Sequence, residues 1–145
     1  MSKTCQRNAF TLIEVLIVVI IMAILAATII PQFTSSTEDA TTSTMQFNLH
    51  TMRSQIQVYK MHHLGDLPGA GAATFSEAMT QKTDISGKAD AAGPYGPYVQ
   101  EIPPNPYNNK SDVVEQAVAA GDDSTGWQFD TTTGLIYPNH TGFTP

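Results

Sequence analysis

Ala9-Phe10-Thr11-Leu12-Ile13-Glu14 opens an apolar run that continues to Ile30. Within residues 10–30 only Thr11, Glu14 and Thr28 are polar. A helix of these 21 residues rises about 31 Å at ~1.5 Å per residue, close to the ~30 Å hydrocarbon thickness of a bilayer. Lys3 and Arg7 precede the run, and the positive-inside rule then places the N-terminus in the cytoplasm and exports the bulk of the chain. A cleaved secretory signal has an apolar region of roughly 7–15 residues, shorter than this one. Its small-x-small cleavage site is also missing, because cutting after Ala26 or Ala27 puts Ile24 or Leu25 at the third position back. A plain membrane anchor fits the length but gives no use for Glu14, a carboxylate inside an apolar span that is expensive without a partner.

These residues resemble the signature of the type IV pilin superfamily, which includes the pseudopilins of type II secretion. The shared parts are a short basic leader (residues 1–9), a small residue (Ala9), the string Phe10-Thr11-Leu12-Ile13-Glu14, the apolar helix of residues 10–30, and Pro31 after it. The resemblance implies cleavage by a prepilin peptidase between Ala9 and Phe10, and N-methylation of the new amine of Phe10. The family more often has glycine where this chain has Ala9. The resemblance also implies an assembly role for Glu14. Its carboxylate would meet the amine of Phe10 on a neighbouring subunit, so that two buried opposite charges offset each other's desolvation.

Length and charge bound the remainder. The 145 residues suit one membrane span and one small domain. The division expected is a leader over residues 1–9, a transmembrane and assembly helix over residues 10–30, and a periplasmic domain over residues 31–145. The formal charge is −6; beyond the leader there are 5 basic and 13 acidic residues, a net charge of −8. An acidic domain repels phosphate backbones, which argues against nucleic acid as a partner. The sole cysteine, Cys5, lies in the leader, so no disulfide staples the exported part. Many type IV pilins carry such a disulfide and major pseudopilins generally do not, which favours the secretion branch by resemblance.

Beyond Ile30, Pro31 predicts a bend or softening, since proline lacks the amide hydrogen that a helix uses. Met45, Leu49, Met52, Ile56 and Tyr59 recur in steps of four and three, the signature of one helical face. The pattern predicts a single long helix from Phe10 to about His63 whose second half packs on a sheet, with Gly65 as its stop. Thr74 and Glu77 have capping-box spacing and predict a short helix over residues 75–81. Residues 95–102 suit a short edge strand, and residues 113–120 fit helix or strand equally. Trp127-Gln128-Phe129 and Leu135-Ile136-Tyr137 predict a hairpin with Gly134 at a positive-φ position. The fold class is α+β: a long N-terminal helix on a small antiparallel sheet, the pilin-like roll. The string from Gly93-Pro94-Tyr95 to Asn105-Pro106-Tyr107 also resembles the major pseudopilin pattern, less specifically than the N-terminus does.

A search for catalytic chemistry finds none. His62 and His63 are adjacent and point about 100° apart on a helix, so they are expected as solvated residues at its end and not as a metal face. No Gly-rich phosphate loop, cysteine pair or Ser/His/Asp constellation occurs. Major pseudopilins commonly hold calcium in a C-terminal loop, and calcium takes six to eight oxygens. The acidic candidates are Asp122, Asp123 and Asp130, with turn-forming aspartates as the plainer reading. No cofactor is expected beyond this possible calcium. The chain is expected to catalyse nothing and to serve as a subunit of a type II secretion fibre in the inner membrane, single-pass and cytoplasmic at its N-terminus. Its partners would be further copies of itself, minor pseudopilins, the prepilin peptidase and the inner-membrane assembly platform. The alternatives are a type IV pilus subunit, for a surface or DNA-uptake fibre, and a membrane-anchored binding module.

Overall fold

The computed structural model of the chain describes residues 10–144, apart from the side chains of residues 31–35. Ala9, one side of the expected cleavage point, lies outside the described residues. The elements in chain order are helix α1 (Leu12–His62), helix α2 (Phe75–Thr80), and strands β1 (Val113–Glu115), β2 (Trp127–Phe129) and β3 (Ile136–Pro138). The chain divides into two compact units, with the boundary inside α1 after Ala40.

The first unit carries the N-terminal part of α1. Helical structure continues through residue 31, so the proline does not end the helix. Leu12–Ile30 is long and apolar enough to cross a membrane, with a mean hydropathy of 3.0. Its large side chains are open: Ile13 is 61% exposed and Leu25 53%. An apolar surface of this extent marks a segment that lipid or another protein covers.

The second unit is built on the predicted stripe. Met45, Met52, Ile56 and Tyr59 are buried, with Leu49 packed at the margin. They meet Phe75, Ala78 and Met79 of α2 and Trp127, Phe129 and Ile136 of the sheet in one core. Each large apolar side chain so buried contributes roughly 1.5–3 kcal/mol. The rings of Phe75 and Phe129 lie 4.5 Å apart. Helix α2 forms where the capping box predicts: Thr74 Oγ1 accepts from the Glu77 amide, and Glu77 reaches back to the Thr74 amide. The Phe75 amide donates to Glu115 Oε1 at 2.7 Å, which ties α2 to β1.

The sheet differs from the antiparallel expectation. Strands β2 and β3 are antiparallel, with Gln128 opposite Tyr137, but β1 runs parallel to β2, with Val114 opposite Gln128. A tight turn can join only antiparallel neighbours; the long connection over residues 116–126 lets the chain return and enter β2 in the same direction as β1. The ambiguous segment 113–120 is thus strand over its first three residues. The edge strand expected over residues 95–102 does not form. Pro97 interrupts the segment, Pro94, Pro103 and Pro104 flank it, and proline has no amide to donate to a ladder. Its hydrogen bonds go instead to Met79 O, from the amides of Tyr98 and Val99, and only Tyr95 forms an isolated bridge, with Thr83.

The end of α1 bears out Gly65 as its stop, at φ 98°, and corrects the expectation for His63. Gly65 donates its amide to Lys60 O at 2.8 Å, the six-to-one bond of a Schellman cap. The residue that turns left-handed first is Leu64, at φ 58°. His63 is not solvated: it is 1% exposed. Its Nδ1 lies 3.1 Å from Ile85 O, and its Nε2 lies 3.1 Å from both Tyr98 Oη and Thr83 Oγ1. His63 falls four residues after Tyr59 and so continues the buried stripe. His62, exposed as expected, contacts Tyr98 Oη at 3.1 Å.

Candidate functional site

Among the described residues three places gather polar chemistry, and each is held by local structure. The first is the start of α1. Phe10 is 86% exposed. Thr11 precedes the first helical residue, and its amide and hydroxyl both donate to Glu14 Oε2, at 2.8 and 2.7 Å. The Glu14 amide returns a bond to Thr11 Oγ1 at 3.3 Å. This is a capping box. The T-x-x-E spacing that marks α2 also stands in the Phe10–Glu14 string, so Thr11 was readable as the cap but was not singled out. Glu14 therefore has a partner within its own chain. In the single chain the carboxylate is not bare, because two donors of Thr11 solvate it.

The second place is the network around His63. With Nδ1 facing the carbonyl of Ile85, that nitrogen is a donor and carries a proton. The ring of Tyr59 stacks 3.9 Å from that of His63. Burial pushes the Tyr59 hydroxyl up to about 12, helped by the neighbouring Tyr98, Asp66 and Asp84. The network closes the tip of the core; every contact in it is internal.

The third is the C-terminal loop over residues 121–125 with residues 139–141. Asp122 Oδ1 accepts from the Ser124 amide, the Ser124 hydroxyl and Asn139 Nδ2, at 2.9, 2.7 and 2.8 Å. These donors, Ser124 first, hold the Asp122 carboxyl down at about 2. Asn139, 2% exposed, also donates to Thr125 Oγ1 and accepts from the Asp122 amide and Gln128 Nε2. Asp123 Oδ2 accepts from the Thr141 amide at 3.3 Å. The Lys110 ammonium donates to the carbonyls of Asp123 and Ser124, at 2.7 and 3.1 Å.

The calcium candidates are not gathered in one place. Asp122 and Asp123 share this loop, beside the end of the hairpin where Trp127 faces Pro138. Asp130 lies past the other end, where Phe129 faces Ile136, and its Oδ1 accepts from the Thr132 and Thr133 amides to shape the turn to Gly134. Those amides lower the Asp130 carboxyl below its usual range. Gly134 has φ 71°, as the hairpin requires. Among the described residues no group of three or more His, Cys, Asp or Glu side chains could hold a metal, and no buried side-chain oxygen or nitrogen lacks a partner. A loop shaped around an ion would present oxygens with nothing else to bind; here an ammonium and amides take them. The donor set does not fit calcium. Lys110 and Asn139 escaped the reading of the sequence, because neither sits in a spacing that marks a loop clamp.

An open apolar helix, closed at its start by a carboxylate and leading into a small α+β unit, defines a pilin-like protein. The prokaryotic N-terminal methylation motif matches residues 5–30. The type II secretion system core protein G of Pseudomonas aeruginosa is 27% identical over 104 residues, covering 72% of this chain and 70% of that relative. The chain thus carries the prokaryotic N-terminal methylation motif and is similar to a type II secretion core protein over most of its length. No solved structure matches it.

Proposed function

We propose that this chain is a structural subunit of the type II secretion pseudopilus, a periplasmic fibre whose growth drives protein export across the outer membrane. The observation that carries this reading is the extent of the match to the core protein G. Its 104 residues far exceed the methylation motif over residues 5–30, so most of the aligned length lies beyond Ile30.

In this reading the prepilin peptidase cuts between Ala9 and Phe10 and methylates Phe10. The helix waits in the inner membrane, with the second unit in the periplasm. The assembly platform then extracts it into a homopolymer capped by minor pseudopilins. Side chains that face lipid in the waiting state, such as Ile13, Leu16 and Ile20, face other helices in the fibre. Glu14 passes from the donors of Thr11 to the amine of Phe10 on the next subunit, which sets the axial register between copies. Pro31 gives the helix the slack to bend where lipid and periplasm meet. The chain catalyses no reaction of its own.

The test is deletion of the gene, followed by comparison of the extracellular proteome and electron microscopy of the same cells. Secreted enzymes should be trapped in the periplasm while surface fibres persist. Normal secretion with lost surface fibres would make the chain a pilus subunit instead. Mass spectrometry of the N-terminal peptide should find methylated Phe10; an intact leader at Met1 would favour a membrane-anchored module.

A further inference from the structure

We infer that Lys110 is the cation of the C-terminal loop, a built-in ammonium that clamps residues 121–125 and makes the domain independent of calcium. The loop between β1 and β2 must reverse around Asp122, Asp123 and Ser124, and Asp123 adopts a left-handed φ of 60°. Such a turn aims successive carbonyls to one side, where they repel each other unless a positive donor lies between them. Lys110 Nζ donates to two of them, those of Asp123 and Ser124, at 2.7 and 3.1 Å. A charged donor strengthens a hydrogen bond to about twice that of a neutral pair.

The lysine is held in place for this task. Its own carbonyl accepts from the Asn105 amide at 2.9 Å, and its amide donates to Asn108 Oδ1 at 3.1 Å. Asn108 Nδ2 crosses to Thr125 O and Asn139 O, at 2.8 and 2.7 Å, so the strap over residues 105–110 is sewn to both sides of the loop. Gly126 lies directly against the carbonyl of Lys110, where a Cβ would collide with it. On the inner side Asn139 binds Asp122, Ser124 and Thr125 through one amide nitrogen. Asn139 thus engages the very side chains, Asp122 and Ser124, that would otherwise be oxygen ligands. One ammonium and one amide between them engage two main-chain and three side-chain oxygens of the loop, leaving no set of six to eight for a calcium ion. The inference stands on this geometry alone and does not depend on the fibre.

The experiment uses the full chain purified in detergent. Its calcium content is measured by elemental analysis, and its Tm is followed in EDTA and in millimolar calcium. The wild type should carry no stoichiometric calcium and melt at the same temperature in both media. Lys110→Met keeps the apolar stem and removes the charge; it should lower Tm by about 5 °C in both media, the shift expected for loss of one modest interaction in a domain of this size. Lys110→Arg, which keeps a charged donor, should recover most of that loss. Bound calcium in the wild type, a calcium-dependent rise of its Tm, or an unchanged Tm for Lys110→Met would each overturn the inference. If Lys110→Met does not accumulate, the wild-type calcium titration and the arginine variant still decide it.

Discussion

In the proposed fibre Glu14 is the residue on which assembly would turn, and the capping box changes what its removal should do. With Thr11 donating twice to it, Glu14 is accommodated in the lone helix, so its loss should leave membrane insertion intact and act only when subunits join. Glu14→Ala is expected to remain in the membrane fraction while the yield of sheared fibre collapses; normal fibre yield would sink the assembly role. Thr11→Ala separates the two functions of the pair. It removes one of the two donors and the cap, at a typical helix-start cost of about 1 kcal/mol, but leaves the carboxylate for a neighbour's amine. It should reduce fibre yield less than Glu14→Ala does. Asp122 makes a second residue-scale prediction. Its carboxyl is held at about 2 in the folded chain, below the ordinary ~3.9 of an unfolded aspartate. A depressed carboxyl stabilises the fold above the unfolded value, and that contribution is lost as pH falls through the folded one. Acid titration followed by circular dichroism should show a loss between about pH 4 and pH 2 that Asp122→Asn flattens. Identical acid profiles for the two proteins would remove Asp122 from the account.

Elements form where local chemistry and burial agree, and α2 shows this at its simplest. Its cap is complete in the sequence, and Thr74→Ala should cost about 1 kcal/mol, measured by denaturant unfolding of the full chain in detergent; no loss would mean that α2 is held by Phe75 and Met79 packing alone. The end of α1 is the opposite case. Gly65 takes a positive φ of 98°, but Leu64 before it is also left-handed, at φ 58° and 84% exposed. A side chain there carries strain that packing does not offset, so Leu64→Gly should be neutral or stabilising by up to about 1 kcal/mol, the left-handed penalty less the added freedom of the unfolded glycine. A loss of stability would show that Leu64 has a contact of its own. The same contrast explains what could be read in advance. Periodicity made α1 and its core face legible, because burial of Met45 to Tyr59 repeats every turn. It also reached His63, one step further along the stripe, but a histidine next to a predicted stop reads as solvated. The parallel pairing of β1 with β2 was not legible, because three-residue strands carry no direction signal and pairing is fixed by the return of residues 116–126. At the candidate sites, Thr11 was written in a spacing already used for Thr74. The Lys110 clamp joins residues far apart in sequence and leaves no local mark.

Two electrostatic terms of different burial act on the whole molecule once copies assemble. The net charge of −8 beyond the leader lies mostly on the second unit, where like-charged domains of neighbouring subunits would face water. The pairing of Glu14 with the Phe10 amine would lie among apolar helices. Screening reaches the first term and not the second, because the Debye length shrinks from about 30 Å at 0.01 M salt to about 8 Å at 0.15 M only where solvent penetrates. Added salt should therefore relieve repulsion between domains while leaving the helical core untouched, and apolar contact between helices strengthens in the same direction when the salt is sulfate. Sheared fibres diluted into low salt should release subunits, and the pelletable fraction should rise with sodium chloride over that range, with sulfate more effective than chloride at equal ionic strength. Fibres that instead fall apart as salt rises would mean that exposed ion pairs between the domains, and not the apolar helix of residues 10–30, hold the copies together.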